Sequence, residues 1–295
     1  MKPEIVTLGN GHFHVEITSP LTACMDKYGP RFETLGAVTA IRLEGENFCV
    51  HEGLSDEFNI EDDLPPPGYD EANPGESFVK IGVGELTRVD DRAYDFEYPY
   101  PVQHLAPVIV ERQDDALSLF QRLNAGKRWG YEYRKTYHVM PESAKLVIQY
   151  ELKNTGSCAF HAEQYNHNWF NQGGGPVDHN YTLKTKFDLE EGQEDWFRRQ
   201  CGGIVLTGGM TEPSFFESPR SAPVEANWMC LSHAAKAWQI TVSGDFRVAR
   251  FALYADPSAL CPEVFINIPL APGEARSWNR VYEFKMNKRC AGDVA

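Results

Sequence analysis

The sequence lacks long apolar runs, helical periodicity and any excess of basic residues. No stretch of its 295 residues approaches the length of a membrane span. Its 28 Lys and Arg are outnumbered by 42 Asp and Glu, which leaves a formal charge of −14. Duplex nucleic acid and anionic membrane surfaces bind clustered basic side chains, so this balance argues against both as partners. We expect a small neutral or weakly charged ligand instead.

Paired cysteines are also missing. The seven cysteines are odd in number and scattered, and no two of them form a CxxC pair. This pattern argues against a secreted disulfide framework and against a zinc ribbon. The first residues, MKPEIVTLGNGHFHVEI, contain no apolar core of the kind found in signal peptides. We therefore predict reduced thiols and a cytoplasmic location.

Alternation with a period of two residues is abundant. In residues 144–153, Leu146, Ile148 and Tyr150 share one face, and the other face is mostly charged or polar. A turn, Asn-Thr-Gly-Ser, follows, and residues 158–170 form a second run of the same kind. Gly (24) and Pro (19) punctuate similar short runs along the chain. The pattern predicts an all-β protein, a large antiparallel β-sandwich in a single domain over residues 1–295.

Residues 52–76 interrupt this pattern. They carry nine acidic side chains around a Pro-Pro-Pro-Gly run, and their spacing does not match a calcium-binding EF-hand loop. We predict a solvated loop here. A segment that covers a bound substrate is the alternative, because long loops in compact domains often serve binding.

The strand predicted over residues 158–170 has an unusual face. Alternate side chains of a strand point the same way, so His161, Glu163, Tyr165, His167 and Trp169 share one face. Polar groups interspersed with flat aromatic rings suit a ligand with many hydroxyls and an apolar ring face. We interpret this face as the floor of a carbohydrate pocket. A solvent-facing strand is the alternative, since antiparallel sheets often expose one polar face.

The same stretch resembles a known family. Residues 166–171, NHNWFN, are followed by glycines and resemble the NH-x-[YF]-F-N signature of aldose 1-epimerases, the galactose mutarotase-like superfamily. Residues 129–137 and the closing segment 262–284 are similar to the family as well. The resemblance covers about residues 129–175 and 260–285. It implies a galactose mutarotase-like β-supersandwich with its pocket on the concave face of one sheet.

The resemblance also implies an isomerase activity, the interconversion of α and β anomers of a free sugar without metal or other cofactor. In this chemistry a carboxylate removes the proton of the O1 hydroxyl, while an imidazolium protonates the ring oxygen. By motif match, His167 takes the acid position. Glu263 is the candidate base, since it lies opposite the apolar face of residues 261–268; a surface Glu is the alternative. Tyr165, Asn166 and Trp169 would then position the sugar ring.

Other polar residues are assigned to the sugar hydroxyls. The family's upstream LHGG-like segment is missing here, and His104 is the histidine at a plausible distance, with a loop or strand-end histidine as the alternative. His104 is predicted to meet hydroxyls, as are His161 and Glu163 beside His167. Lys80 and Arg88 share a strand face from which they would reach an anionic substituent, with solvated charges as the alternative.

Two other functions stay open at this point. The first is another carbohydrate reaction, by a lyase or isomerase that uses His161, Glu163 and His167. The second is sugar binding without catalysis. The identity of the sugar and the oligomeric state stay open too.

Overall fold

The computed structural model describes residues 4–20, 23–61, 63–124, 126–191, 194–200 and 202–286. Within these ranges the chain is almost entirely β-structure, which confirms the predicted class. The strands are β1 (Glu4–Gly9), β2 (Phe13–Ser19), β3 (Ala37–Leu43), β4 (Glu46–Asn47), β5 (Cys49–Phe58), β6 (Ser77–Lys80), β7 (Gly84–Thr87), β8 (Val102–Leu105), β9 (Val108–Arg112), β10 (Ala116–Leu123), β11 (Tyr131–Met140), β12 (Lys145–Asn154), β13 (Phe160–Phe170), β14 (Tyr181–Thr185), β15 (Phe197–Gln200), β16 (Gly203–Leu206), β17 (Ser214–Ser218), β18 (Trp228–His233), β19 (Trp238–Gly244), β20 (Phe251–Asp256), β21 (Ala259–Val264), β22 (Ile266–Leu270) and β23 (Ala275–Met286). The helical pieces are α1 (Ala23–Tyr28) and 3₁₀ turns at Gly29–Arg31, Pro141–Ser143 and Val224–Ala226. Within the same ranges no helix is long and apolar enough to span a bilayer.

Two large antiparallel sheets form the sandwich. The front sheet has the order β1-β2-β3-β5-β13-β21-β20-β17, with β4 paired to β3 and β22 paired to β13. The back sheet has the order β15-β16-β14-β18-β19-β23-β12-β11-β10-β9. A small sheet, β6-β7-β8, stands apart from both. The strands β5, β13 and β21 are therefore central in the front sheet, where neighbours on both edges hold their side chains in place.

The core lies between the two large sheets and follows the alternation of the sequence. Leu146, Ile148 and Tyr150 of β12 are buried, as the period-two pattern predicts. Strand β2 alternates in the same way, with Phe13 and Val15 fully buried. Full burial of a side chain of this size contributes about 1.5–3 kcal/mol, so the alternation of the strands selects which face of each sheet points inward.

The acidic segment is only partly a loop. Its first residues belong to β5, whose Ser55, Asp56 and Glu57 are all fully buried. The prediction of a solvated loop is therefore wrong for residues 52–58. Buried carboxylates need cationic or hydrogen-bonding partners, and those partners come from distant strands that the local sequence does not reveal.

Asp56 illustrates this between the two sheets. Its carboxylate accepts hydrogen bonds from Lys135 Nζ at 2.6 Å, Tyr150 Oη at 3.0 Å and Asn166 Nδ2 at 2.9 Å. Lys135 also binds Glu33. Burial by itself lowers the pKa of Lys135, but the charges of Asp56 and Glu33 hold it well above its usual value. Because β5 residues alternate, Asp56 faces this core cluster while its neighbour Glu57 faces the outer side of the front sheet.

Candidate active site

A cavity of about 560 Å³ opens on the outer face of the front sheet. Its volume lies within the usual range of small-molecule sites. Tyr165, His167 and Trp169 of β13 line it together with Glu263 of β21. The structure thus brings four of the predicted site residues together, because β13 and β21 are neighbours in the sheet.

His167 and Glu263 form the most direct contact in the pocket. His167 Nδ1 lies 2.8 Å from Glu263 Oε1, and each residue is only 5% exposed. A donor and an acceptor of protons are therefore adjacent at the cavity floor, and both still reach the cavity.

The other ring nitrogen of His167 contacts a second carboxylate. His167 Nε2 lies 3.1 Å from Glu57 Oε2 and 2.9 Å from Tyr165 Oη. Arg31 Nε donates to Glu57 Oε1 at 3.0 Å, and the Tyr165 hydroxyl donates to Glu57 as well. His167 is thus held between two carboxylates, and one of them is itself fixed by an arginine.

This environment sets the charge of the imidazole. Burial by itself lowers the pKa of His167, but Glu263 and Glu57 together raise it to about 9. Burial opposes ionisation of Glu57, yet the hydrogen bond from His167 and the charge of Arg31 keep the pKa of that carboxyl below its usual value. At neutral pH the pocket therefore holds an imidazolium, a ready proton donor.

Aromatic rings form the walls. The Trp169 indole lies parallel to the His167 ring with centroids 5.9 Å apart, and Tyr254 meets Trp169 edge-on at 5.3 Å. Phe265 stacks on Tyr165 at 4.3 Å. Flat, partly polar rings of this kind pack well against a ligand that has one apolar face.

Arg250, which also lines the cavity, has a full set of ion-pair partners. The Arg250 guanidinium stacks over Phe265 at 3.5 Å and donates to both oxygens of Glu163, at 3.0 and 2.7 Å. Glu61 and Glu217 each approach Arg250 to 2.6 Å. Both carboxylate oxygens of Glu163 are thus occupied by Arg250, so the predicted contact of Glu163 with sugar hydroxyls is corrected. Glu163 affects the pocket only by holding the Arg250 guanidinium in position.

Two more residues of β13 lie outside the pocket. Asn166 faces the core, where it donates to Asp56 and accepts from Tyr282 Oη at 2.7 Å. The prediction that it positions the sugar ring is corrected, because residues that alternate with His167 point to the opposite face. His161 is exposed and borders a separate shallow depression beside Trp129.

The remaining predicted residues lie on or next to the small sheet, outside the cavity. His104 is exposed on β8. Lys80 is buried, and its Nζ donates to Phe58 O at 2.6 Å and to Tyr94 Oη at 2.8 Å. Arg88 Nη1 donates to the carbonyl oxygens of Tyr69 and Ala72. These three predictions are corrected as well: Lys80 and Arg88 hold backbone in place and do not line the cavity.

A different histidine, His51, lines the pocket. Its ring packs edge-on against Trp169 at 5.0 Å, and its Nε2 lies 3.2 Å from Asp256 Oδ2. The backbone is left-handed at His51 (φ 49°) and again at Gly53 (φ 66°). A Cβ at Gly53 would come within 1.9 Å of Val38 O, so glycine is required there. This bulge within β5 brings both His51 and Glu52 to the cavity.

Sequence reasoning missed His51, Glu57 and Arg31. The apolar residues Leu54 and Phe58 on either side of Glu57 were a usable signal for a buried strand. A further missed residue is Cys261, whose Sγ lies 3.3 Å from Glu263 Oε1 and 4.0 Å from His167 Nδ1. Among the described residues, His167, Cys261 and Glu263 form the one group of histidine, cysteine and acidic side chains whose possible ligand atoms all lie within 4.8 Å of one another.

Comparison with solved structures identifies the architecture. A galactose mutarotase-like protein from Lactobacillus casei superimposes with a TM-score of 0.59 at 14% identity, over 96% of this chain and 100% of its own. A galactose mutarotase related enzyme from Lactobacillus acidophilus gives 0.60 at 11% identity, over 97% and 99%. An aldose epimerase homologue from C. elegans gives 0.56 at 12% identity, over 97% and 100%.

Sequence comparison adds nothing to this assignment. No family model matches the chain, and no curated protein matches it. Identities of 11–14% establish the architecture alone. The chain has the galactose mutarotase-like β-supersandwich fold, as its NHNWFN segment predicts.

Proposed function

We propose that the protein is an aldose 1-epimerase with His167 as general acid and Glu263 as general base. The observation that carries the proposal is the 2.8 Å contact between His167 Nδ1 and Glu263 Oε1 at the floor of an aromatic-walled cavity. The names of the structural neighbours support a carbohydrate substrate.

The spacing suits the two oxygens that react. O1 and the ring oxygen of an aldose are bonded to the same carbon, so they need an acceptor and a donor side by side. A bound sugar would replace the His167–Glu263 hydrogen bond with two of its own. Glu263 would take the O1 proton as Nδ1–H gives its proton to the ring oxygen, which breaks the C1–O5 bond and leaves an open-chain aldehyde.

The reverse transfers close the ring. After rotation about C1–C2, the hydroxyl attacks the other face of the aldehyde, returns its proton to His167 and draws a proton from Glu263 onto O1. Both groups end the cycle as they began it. Glu57, held by Arg31, would favour the imidazolium before donation and keep the ring oriented throughout the cycle, which proton donation at neutral pH requires.

Anomer interconversion of freshly dissolved α-aldoses, followed by polarimetry or proton NMR, tests the proposal. The wild-type protein should accelerate it for at least one aldose. His167→Asn and Glu263→Gln should each reduce the acceleration about a hundredfold or more, the usual scale for losing a positioned acid or base. No acceleration across a panel of aldoses would contradict the proposal.

Matched controls separate chemistry from folding. His138 is a partly exposed histidine of β11 bound to Gln149, and Glu151 is an exposed carboxylate of β12. His138→Asn and Glu151→Gln repeat the two substitutions in the back sheet and should retain the wild-type rate.

A further inference from the structure

Three donor atoms of different chemistry meet at the pocket floor. His167 Nδ1 and Glu263 Oε1 are 2.8 Å apart, Cys261 Sγ lies 3.3 Å from that oxygen, and the sulfur lies 4.0 Å from the nitrogen. Cys261 is fully buried, and the other two are 5% exposed. Imidazole, thiolate and carboxylate are the ligand types that zinc uses in proteins.

The distances between these atoms fit one ion. With metal–ligand bonds of about 2.0 Å to nitrogen and oxygen and about 2.3 Å to sulfur, they give angles at the ion of roughly 90°, 100° and 135°. The middle angle is near the tetrahedral value, and the other two depart from it by about 20° to 25°, which small side-chain shifts on metal binding would have to absorb. His167 and Glu263 both line the cavity, so a fourth position would open towards it.

The surroundings of the three residues also suit a metal. Histidines that bind metal usually donate their other ring N–H to a carboxylate, and Glu57 occupies that position at His167 Nε2. Burial and the charge of Glu263 raise the pKa of the Cys261 thiol, while the backbone N–H of Asn168, which donates to Sγ at 3.0 Å, would stabilise a thiolate once the cation displaces the thiol proton. One thiolate and one carboxylate would neutralise the two charges of the cation, and a sulfur ligand favours zinc-like ions over magnesium or calcium.

We propose that His167, Cys261 and Glu263 form a binding site for a thiophilic divalent cation such as Zn²⁺. Binding needs the lone pair of His167 Nδ1 and the Cys261 thiolate, so the cation displaces the protons of both groups to solvent. The site then has two exclusive forms, one with a proton on Nδ1 and one with the metal.

Spectroscopy of the Co²⁺-loaded full-length protein tests the site without reference to activity. Wild-type protein freed of metal with a chelator should bind one Co²⁺ and show a thiolate-to-cobalt charge-transfer band, which one equivalent of Zn²⁺ should displace. Cys261→Ser should abolish the band, since it removes the sulfur ligand. Cys230→Ser, at a partly buried cysteine of β18 remote from the pocket, is the matched control and should keep it.

A second variant covers the case in which Cys261→Ser does not fold. Glu57→Gln leaves the three ligands in place and should weaken Zn²⁺ about 10- to 100-fold in competition with a chelator of known affinity, as loss of an outer carboxylate does. A wild-type protein that binds no Zn²⁺ one to one, or a cobalt band that persists in Cys261→Ser, would overturn the proposal. Neither result depends on whether any sugar is a substrate.

Discussion

His167 has a different carboxylate on each ring nitrogen, and this arrangement determines its chemistry. Glu263 faces the cavity beside Nδ1, whereas Glu57 lies behind the ring at Nε2 and is held by Arg31. The division leaves Nδ1 as the nitrogen that a ligand reaches. Glu57 is therefore a positioning residue, which acts through the imidazole and makes no contact of its own with a sugar.

The protonation state of His167 is directly measurable. In metal-free protein, ring-nitrogen NMR should show an imidazolium at pH 7 that titrates with a pKa of about 9. Acid catalysis by this group should decline as the pH rises through the same value, because the donor proton is lost. A neutral ring at pH 7 would contradict the assignment.

Glu57→Gln provides the matched comparison. The amide keeps the shape of the side chain and removes the negative charge that favours the imidazolium, so the pKa of His167 should fall. The same change in the exposed Glu151→Gln variant should leave the titration unchanged.

At the scale of elements, strands β5 and β13 each serve two purposes. Their outward side chains, Glu57 and His167, belong to the pocket, while Asp56 and Asn166 bind each other in the core behind it. A buried ionic cluster with Lys135 thus supports the strands that carry the site. Because successive side chains of a strand point to opposite faces, neighbouring residues of one strand serve the pocket and the core in turn.

Lys135→Met tests this support. It removes the cation and leaves two buried carboxylates, Asp56 and Glu33, without their charge partner. Breaking a buried pair in this way costs about 3–5 kcal/mol, which urea denaturation would measure as a lower free energy of unfolding.

Arg122→Met is the control for that loss. It breaks the exposed Arg122–Glu132 pair of the adjacent strands and should cost only about 0–1 kcal/mol. Equal losses in the two variants would show that the Lys135 cluster contributes no more than a surface ion pair.

The same alternation explains which parts of the molecule were predictable from sequence. Strands β11, β12 and β13 and the shared face of Tyr165, His167 and Trp169 follow from local pattern. Strand β5 escapes this pattern because its carboxylates meet Arg31 of a 3₁₀ turn and Lys135 of the back sheet, contacts that arise only when these distant segments pack together. The position of His104 outside the cavity and the contact of Cys261 with His167 depend on how distant strands are placed relative to one another. Local periodicity carries no information about that placement.

At the scale of the whole molecule, the charge of −14 and the ion pairs of the pocket both disfavour the binding of an anionic ligand. Arg31 and Arg250, the arginines that line the cavity, are each paired with carboxylates, Glu57 for the first and Glu163 for the second. Neither guanidinium is free to bind an added anion without breaking a buried ion pair. A neutral aldose meets no such cost, because it brings no charge to be compensated.

We therefore expect the kcat/KM of a neutral aldose to be at least about tenfold higher than that of its 6-phosphate or uronate counterpart. A tenfold ratio corresponds to a difference of about 1.4 kcal/mol in transition-state stabilisation. The difference should narrow with added salt, because ions screen the repulsion between an anionic sugar and a negatively charged protein. Parallel NMR assays of the paired sugars at low and high ionic strength would measure both effects. A phosphorylated sugar that reacts faster than its neutral parent would show that a cation of the cavity binds the added anion, either the mostly exposed Lys27 or an arginine that exchanges its carboxylate for the ligand. Arg250, which also contacts the loop residue Glu61, would be the first arginine to examine.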